Sequence, residues 1–239
     1  MQEPKHDKER QIFQVERFTY FTDAVFAICI TLLVIDIKLK TFENPTDQIL
    51  WNELSKMGLR FLGFVISFGI IGHYWSVHHR IFGYVKKNST TLIWINMAFL
   101  FTVVTLPFSA SLLGEYSSNT HIRIPYAIYT FNMCMTGFMN WWVWVYVSNP
   151  KRQMLTRQIS RSRIMLGVYR SLVIPVIFLI SLLIFLLSPL VAYCSLLLIP
   201  IILHWGMKGL ETKAERDESI TSKAGLKNAV LMKEEVKKD

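Results

Sequence analysis

The chain has 239 residues, of which 52% are hydrophobic, 13% aromatic and only 18% charged, with a formal net charge of +9. Ordinary soluble domains carry about 25% charged residues, so the composition points away from one. Residues 88–114, 124–150 and 171–207 contain no Asp, Glu, Lys or Arg. A bilayer core needs about 20 helical residues to cross, so three such stretches in one chain predict a polytopic membrane protein.

In chain order, residues 1–17 form a charged tail, followed by an apolar segment, 18–39, that carries Asp23 and Asp36. That segment is expected to be the first span: no A-x-A-like cleavage site follows it, and a signal peptide would not carry Asp23. Residues 41–57 are polar with an Asn-Pro turn, and 59–84 give the second span. The third lies in 88–114 and is expected to kink at Pro107, which lacks an amide donor. The fourth, in 124–150, carries the aromatic run NWWVWVY, suited to an interfacial belt. Residues 151–170 are basic and partly amphipathic and are expected to lie along the cytoplasmic face.

The 37 residues from 171 to 207 are too many for one span and divide at Ser188-Pro189, so a tight hairpin of two spans is expected. No broken helix is evident in the sequence. The reading is an all-α, six-helix transmembrane domain over 1–208, then a charged cytoplasmic tail over 209–239. No internal repeat is present.

The basic excess follows membrane sidedness. With the N-terminus inside, the cytoplasmic segments hold 21 Lys and Arg and the outer ones five: Lys38, Lys40, Lys56, Arg60 and Arg123. This is the positive-inside pattern, with both termini cytoplasmic in a multi-pass cell-membrane protein, and it displaces a nucleic-acid partner. Cys29, Cys134 and Cys194 fall in apolar spans with no zinc or disulfide spacing and read as buried small hydrophobes.

Two groups of residues invite a functional reading. Arg17, Thr22 and Asp23 end one helix on the side where His73, His78, His79 and Arg80 end another. A carboxylate opposite His or Arg is the usual way to bury charge in a bundle, as a proton relay, a gating network or a polar knot that fixes packing. On the first helix, Ala24, Ile28, Thr31, Leu32, Ile35 and Leu39 fall within about 100° of arc, either a helix–helix contact or a pore face. Asp36 reads as a snorkelling carboxylate. No HExxH, G-x-S-x-G or phosphate loop appears, so neither an enzyme nor a cofactor is expected.

RFTYFTDAVFAICITLLVIDIK resembles the first helix of the transmembrane protein 175 family, with its R-x-x-x-F-S-D, V-F-A-I and T-L-L signature. YWSVHHRIF and IWIN…LPFSASLLGEY resemble its second and third helices, and the likeness extends over nearly all six spans. The resemblance implies a potassium-permeable channel without a TVGYG filter, whose pore is lined by the first helix and narrowed by aliphatic side chains. Animal members carry two six-helix repeats and prokaryotic ones a single repeat.

Carried over, the signature falls on Arg17, Phe21, Thr22 (a hydroxyl in place of serine) and Asp23. The constrictions fall on Ile28, Leu32 and Ile35, with Thr31 as a proposed filter layer, and Asp23 becomes scaffold. The expectation is a homotetramer conducting potassium ions across the lipid bilayer, with proton passage as a further capacity. The alternative is a proton-coupled secondary transporter using Asp23 and the histidines.

Overall fold

The computed structural model of the chain describes residues 5–35, 37, 42–116, 121–156 and 159–236, with side chains for 13–35, 37, 42–58, 60–116, 121–156 and 159–220. Asp36, Lys38, Leu39 and Lys40 lie outside the described residues. The helices are α1 (Lys5–Ile35), α2 (Asp47–Lys56), α3 (Gly58–Phe82), α4 (Thr90–Val104), α5 (Leu106–Tyr116), α6 (Ile124–Ser148), α7 (Arg161–Phe185), α8 (Pro189–Leu196) and α9 (Ile199–Val236).

Local chemistry sets the ends of these helices. Thr46, Ser89 and Ser160 accept the orphan amides of Ile49, Leu92 and Arg163 at the starts of α2, α4 and α7. Pro125 and Pro189 occupy the first turns of α6 and α8, where a missing N–H costs nothing. The α4–α5 break falls at Thr105, two residues before Pro107. The Thr105 hydroxyl lies against the Phe101 and Thr102 carbonyls and the Asn132 amide oxygen. Between α6 and α7 the chain makes a 3-10 turn at Pro150–Arg152, then passes left-handed Gln153 (φ 49°). A short antiparallel bridge joins Val85 to Leu155.

Four stretches are long and apolar enough to cross a membrane: Phe13–Ile35, Arg60–Phe82, Thr90–Tyr116 and Arg161–Phe185. A bent pair, Pro189–Leu196 with Ile199–Ile220, makes a fifth if it is one span. The sixth expected span is α6, whose 25 residues carry no charge. At about 1.5 Å per residue it is long enough to cross, and its Trp, Tyr and Asn residues are what lower its hydropathy.

The structure adds to the sequence reading, or departs from it, in four places. The hairpin at Ser188-Pro189 is present, but its second limb bends by 42° between α8 and α9, a break that the uniformly apolar sequence does not signal. Residues 161–170 are the first turns of α7 rather than a surface helix, because Ser160 caps the helix there. The helix α9 continues through residue 208 into the charged tail without interruption. Cys29 is buried, but Cys194 lies on the exposed face of α8.

The core runs through α3, α4, α6 and α7, with Tyr74, Phe99, Tyr126, Tyr129, Met133 and Phe178 fully or nearly fully enclosed. The α6–α7 approach depends on Gly137. A Cβ there would sit 2.2 Å from Pro175 Cγ and 2.7 Å from the Ser171 carbonyl oxygen. That carbonyl has no intrahelical donor, because residue 175 is proline.

The tail end of α9 is tied to α7. Arg163 donates twice to Glu218 at 2.9 Å, Ser162 bonds Asp217, and Arg170 pairs with Glu211.

A candidate pore-lining helix and its buried anchor

The helix α1 has two faces of opposite character. Val15, Thr22, Phe26, Cys29 and Leu33 point into the bundle and are buried. Across the axis, Ile28 (57% exposed), Leu32 (39%) and Ile35 (59%) are open, as are Ala24 and Thr31. Only 22% of the α1 span is buried, against 50% for α4–α5. Within one chain the stripe is therefore not a helix–helix contact.

Phe21, Ala24, Ile28, Thr31 and Ile35 follow each other at alternating spacings of three and four, the repeat with which helices pack side by side around a common axis. The Thr31 hydroxyl donates to the Ile28 carbonyl oxygen at 2.8 Å. Its proton is thus committed to its own helix, and its lone pairs are left to accept from, or coordinate, something outside it.

The inward face is anchored by three side chains from three helices. Asn96 on α4 donates from Nδ2 to Thr22 Oγ1 on α1 (3.0 Å), and its Oδ1 lies 2.6 Å from Nε2 of His78 on α3. An amide oxygen can only accept, so Nε2 carries the proton of His78. Thr22 passes its own proton back to the Phe18 carbonyl (3.1 Å). All three residues are fully buried. The imidazole is stacked between Phe82 (4.5 Å between centroids) and Phe99 (5.2 Å), which fixes its plane and hence the direction of its N–H.

The remaining polar residues do not join this knot. Asp23 Oδ1 accepts from Trp75 Nε1 (2.9 Å), and the Trp75 ring lies 5.6 Å from that of His79. The Arg17 guanidinium lies over the Phe13 ring at 5.7 Å. Arg80 approaches Glu211 at 3.9 Å, and His73 Nε2 meets the Arg170 carbonyl oxygen at 3.0 Å. The expected pairing of Asp23 with His78, His79 or Arg80 is therefore not made. The reason is helical: neighbouring residues point about 100° apart, so Thr22 and Asp23 cannot share a target, nor can His78 and His79.

Asn96 and Trp75 are the partners that the sequence reading missed. Asn96 was detectable as the one amide side chain among the apolar residues that form α4, where it requires a hydrogen-bond partner.

Spanning helices around a polar-anchored core define a polytopic helical membrane protein. Its fold matches the crystal structure of a lysosomal potassium-selective channel TMEM175 homolog from Chamaesiphon minutus with a TM-score of 0.69. That match covers 81% of this chain and 98% of that one at 23% identity. Residues 17–107 match the family described as endosomal/lysosomal potassium channel TMEM175.

A potassium channel of Streptomyces collinus is 32% identical over 130 residues, 53% of this chain and 62% of the relative. One of Chamaesiphon minutus is 34% identical over 113 residues, 47% and 56% respectively. The endosomal/lysosomal proton channel TMEM175 of Gallus gallus is 33% identical over 115 residues, 46% of this chain but only 23% of the relative. The chain thus spans little more than half the length of the bacterial relatives it matches. The likeness is to the TMEM175 family over residues 17–107, and to bacterial potassium channels over about half of the chain.

Proposed function

We propose that the chain is a channel for monovalent cations, favouring potassium, whose conducting path is lined by α1 of four identical copies. The observation that carries this reading is the α1 stripe, apolar but for one hydroxyl and turned away from its own bundle. One chain presents one stripe, and a closed ring of identical subunits is the usual way to satisfy such a face. The reading also takes six spans per chain: α1, α3, α4–α5, α6, α7 and the bent α8–α9. Both termini are then cytoplasmic, as the distribution of basic residues favours. The bacterial relatives bear the name of potassium channels, which supports the choice of ion.

In such a ring Ile28, Leu32 and Ile35 form successive constrictions about 4.5–6 Å apart along the axis. Converging aliphatic side chains exclude water, so the pore closes by dewetting without a charged gate. Selectivity then rests on dehydration: potassium sheds water more readily than sodium. The outward lone pairs of Thr31 replace part of the lost shell. Asp23, Arg17, His79 and Arg80 serve as scaffold at the cytoplasmic end, and Thr22 with His78 sets the rotation of α1.

The test is ion flux in liposomes under potassium–sodium bi-ionic conditions, with and without a proton gradient. Ile28→Asn is expected to raise conductance and lower selectivity, and Thr31→Val to weaken the potassium preference. If Ile28→Asn leaves current and ion ratio unchanged, this face is not the pore.

A proton-coupled transporter is the second reading, favoured by the broken α8–α9 pair. It requires potassium flux to saturate and to follow the proton gradient stoichiometrically.

A further inference from the structure

Arg60 and Glu115 stand at the same end of the bundle, Arg60 in the first turn of α3 and Glu115 in the last turn of α5. They line one pocket of about 310 Å³ between α1, α3 and α5. The stem of Arg60 crosses Gly114, where a Cβ would lie 3.7 Å from Arg60 Cγ. Its Nη2 donates to the Glu115 backbone carbonyl oxygen at 3.3 Å. The Glu115 carboxylate forms no ion pair with Arg60 or with another cation among the described residues. Opposite charges 55 positions apart therefore share one cavity without neutralising each other. Leu33, Phe64, Pro107 and Ala110 give the pocket an apolar side, with Ser111 next to it.

Each simpler ligand fails on charge. A plain anion meets Arg60 but is repelled by Glu115, and a metal cation meets a single carboxylate and is repelled by the guanidinium. A group carrying both signs satisfies both residues. The planar guanidinium fork suits a phosphate, and the carboxylate suits a primary ammonium with hydrogens to donate. The volume is at the lower end of small-molecule sites. On the six-span reading with both termini cytoplasmic, this end of the bundle stands at the outer membrane–water interface.

We propose that this pocket binds a zwitterionic phosphate–ammonium group, the headgroup of phosphatidylethanolamine from the outer leaflet, with the apolar wall taking the start of an acyl chain. Leu33 lies on the inward face of α1 beside Leu32 and two residues before Ile35. An occupied pocket therefore braces the back of the outer third of α1. The bracing role and the choice of leaflet rest on the channel reading, but the binding itself does not.

The experiment is native mass spectrometry of the purified full chain with phosphatidylethanolamine, phosphatidylcholine and phosphatidylglycerol at equal concentrations. Phosphatidylethanolamine is expected to be retained about tenfold more tightly than the other two. Phosphatidylcholine has no ammonium hydrogens and phosphatidylglycerol has no ammonium, and a charge-assisted bond is worth roughly that factor. Arg60→Gln and Glu115→Gln should each abolish the preference, while Lys56→Gln, outside the pocket and paired with Glu53, should not.

Glu115 is exposed, so its variant tests the site even if Arg60→Gln fails to fold. Displacement of the lipid by soluble phosphoethanolamine would assign recognition to the headgroup alone, and lack of displacement to headgroup and chain together. Equal retention of the three lipids, or a preference untouched by Glu115→Gln, overturns the proposal. No current is measured, so the outcome is independent of the pore assignment.

Discussion

Replacing Asn96 by leucine keeps the branched side-chain skeleton and removes both hydrogen bonds of the buried anchor. Two contacts are lost, His78 Nε2 to Asn96 Oδ1 at 2.6 Å and Asn96 Nδ2 to Thr22 Oγ1 at 3.0 Å. Thr22 keeps its bond to the Phe18 carbonyl, so the group left stranded is the N–H of His78, enclosed between two phenylalanine rings. Leaving a buried donor unmatched costs about 1–3 kcal/mol in a soluble core. In membrane bundles measured couplings are smaller, about 0.6 kcal/mol on average and about 1.7 at most, because the unfolded chain also finds partners.

A destabilisation of about 1.5–3 kcal/mol follows for Asn96→Leu. In a cycle with His78→Phe, which keeps an aromatic ring in the stack, a coupling of about 1–1.7 kcal/mol is expected. The assay is reversible unfolding in mixed detergent micelles, read by tryptophan fluorescence, for the wild type, both single variants and the double variant. Additive effects, with a coupling below about 0.3 kcal/mol, would show that the anchor is a neighbourhood rather than a bond and would refute this account of how α1 is held.

Gly137→Ala should be destabilising by about 1–3 kcal/mol, since its methyl meets backbone, a proline ring and the hydroxyl of the fully buried Tyr74, none of which has room to swing aside; an unchanged melting temperature in detergent would mean that α6 and α7 are spaced more loosely. Asp23→Ala should cost only about 1 kcal/mol, the value of the Trp75 bond at a partly exposed site, rather than the 3–5 of a broken buried ion pair. A larger loss in the same unfolding assay would reveal a cationic partner. Glu218→Gln removes one arm of the bidentate pair with Arg163, worth about 1 kcal/mol, and should speed tryptic cleavage at Lys213 and Arg216 about fivefold. An unchanged cleavage rate would show that the tail is held by other contacts.

The spans, the hairpin at Pro189 and the two faces of α1 were legible in the sequence because each is a local property. Bilayer thickness fixes the length of an apolar run, a Ser-Pro step midway through an overlong run breaks the helix there, and helical periodicity sorts residues into faces. The same periodicity places Ile28, Thr31 and Ile35 on one line, and the family signature is an ordered string that needs no coordinates. Length and freedom from charge single out α6 as readily as the other spans, but not where its polar groups go: Trp144 Nε1 donates to the Ile164 carbonyl and Asn140 Nδ2 to Ser171.

Partnership was decided by the tertiary structure alone. Thr22 and Asp23 are adjacent in the chain, yet one is locked to Asn96 in the core and the other meets Trp75 at the surface, because one helical step turns a side chain about 100°. Glu211 and Glu218 are charges in a tail by composition, and become fasteners only where α9 runs back along α7. Arg60 and Glu115 come to share a pocket only because α3 and α5 end at the same level. A sequence determines which groups must find partners, since their desolvation is costly wherever they lie. The packing of helices distant in the chain determines which partners they find.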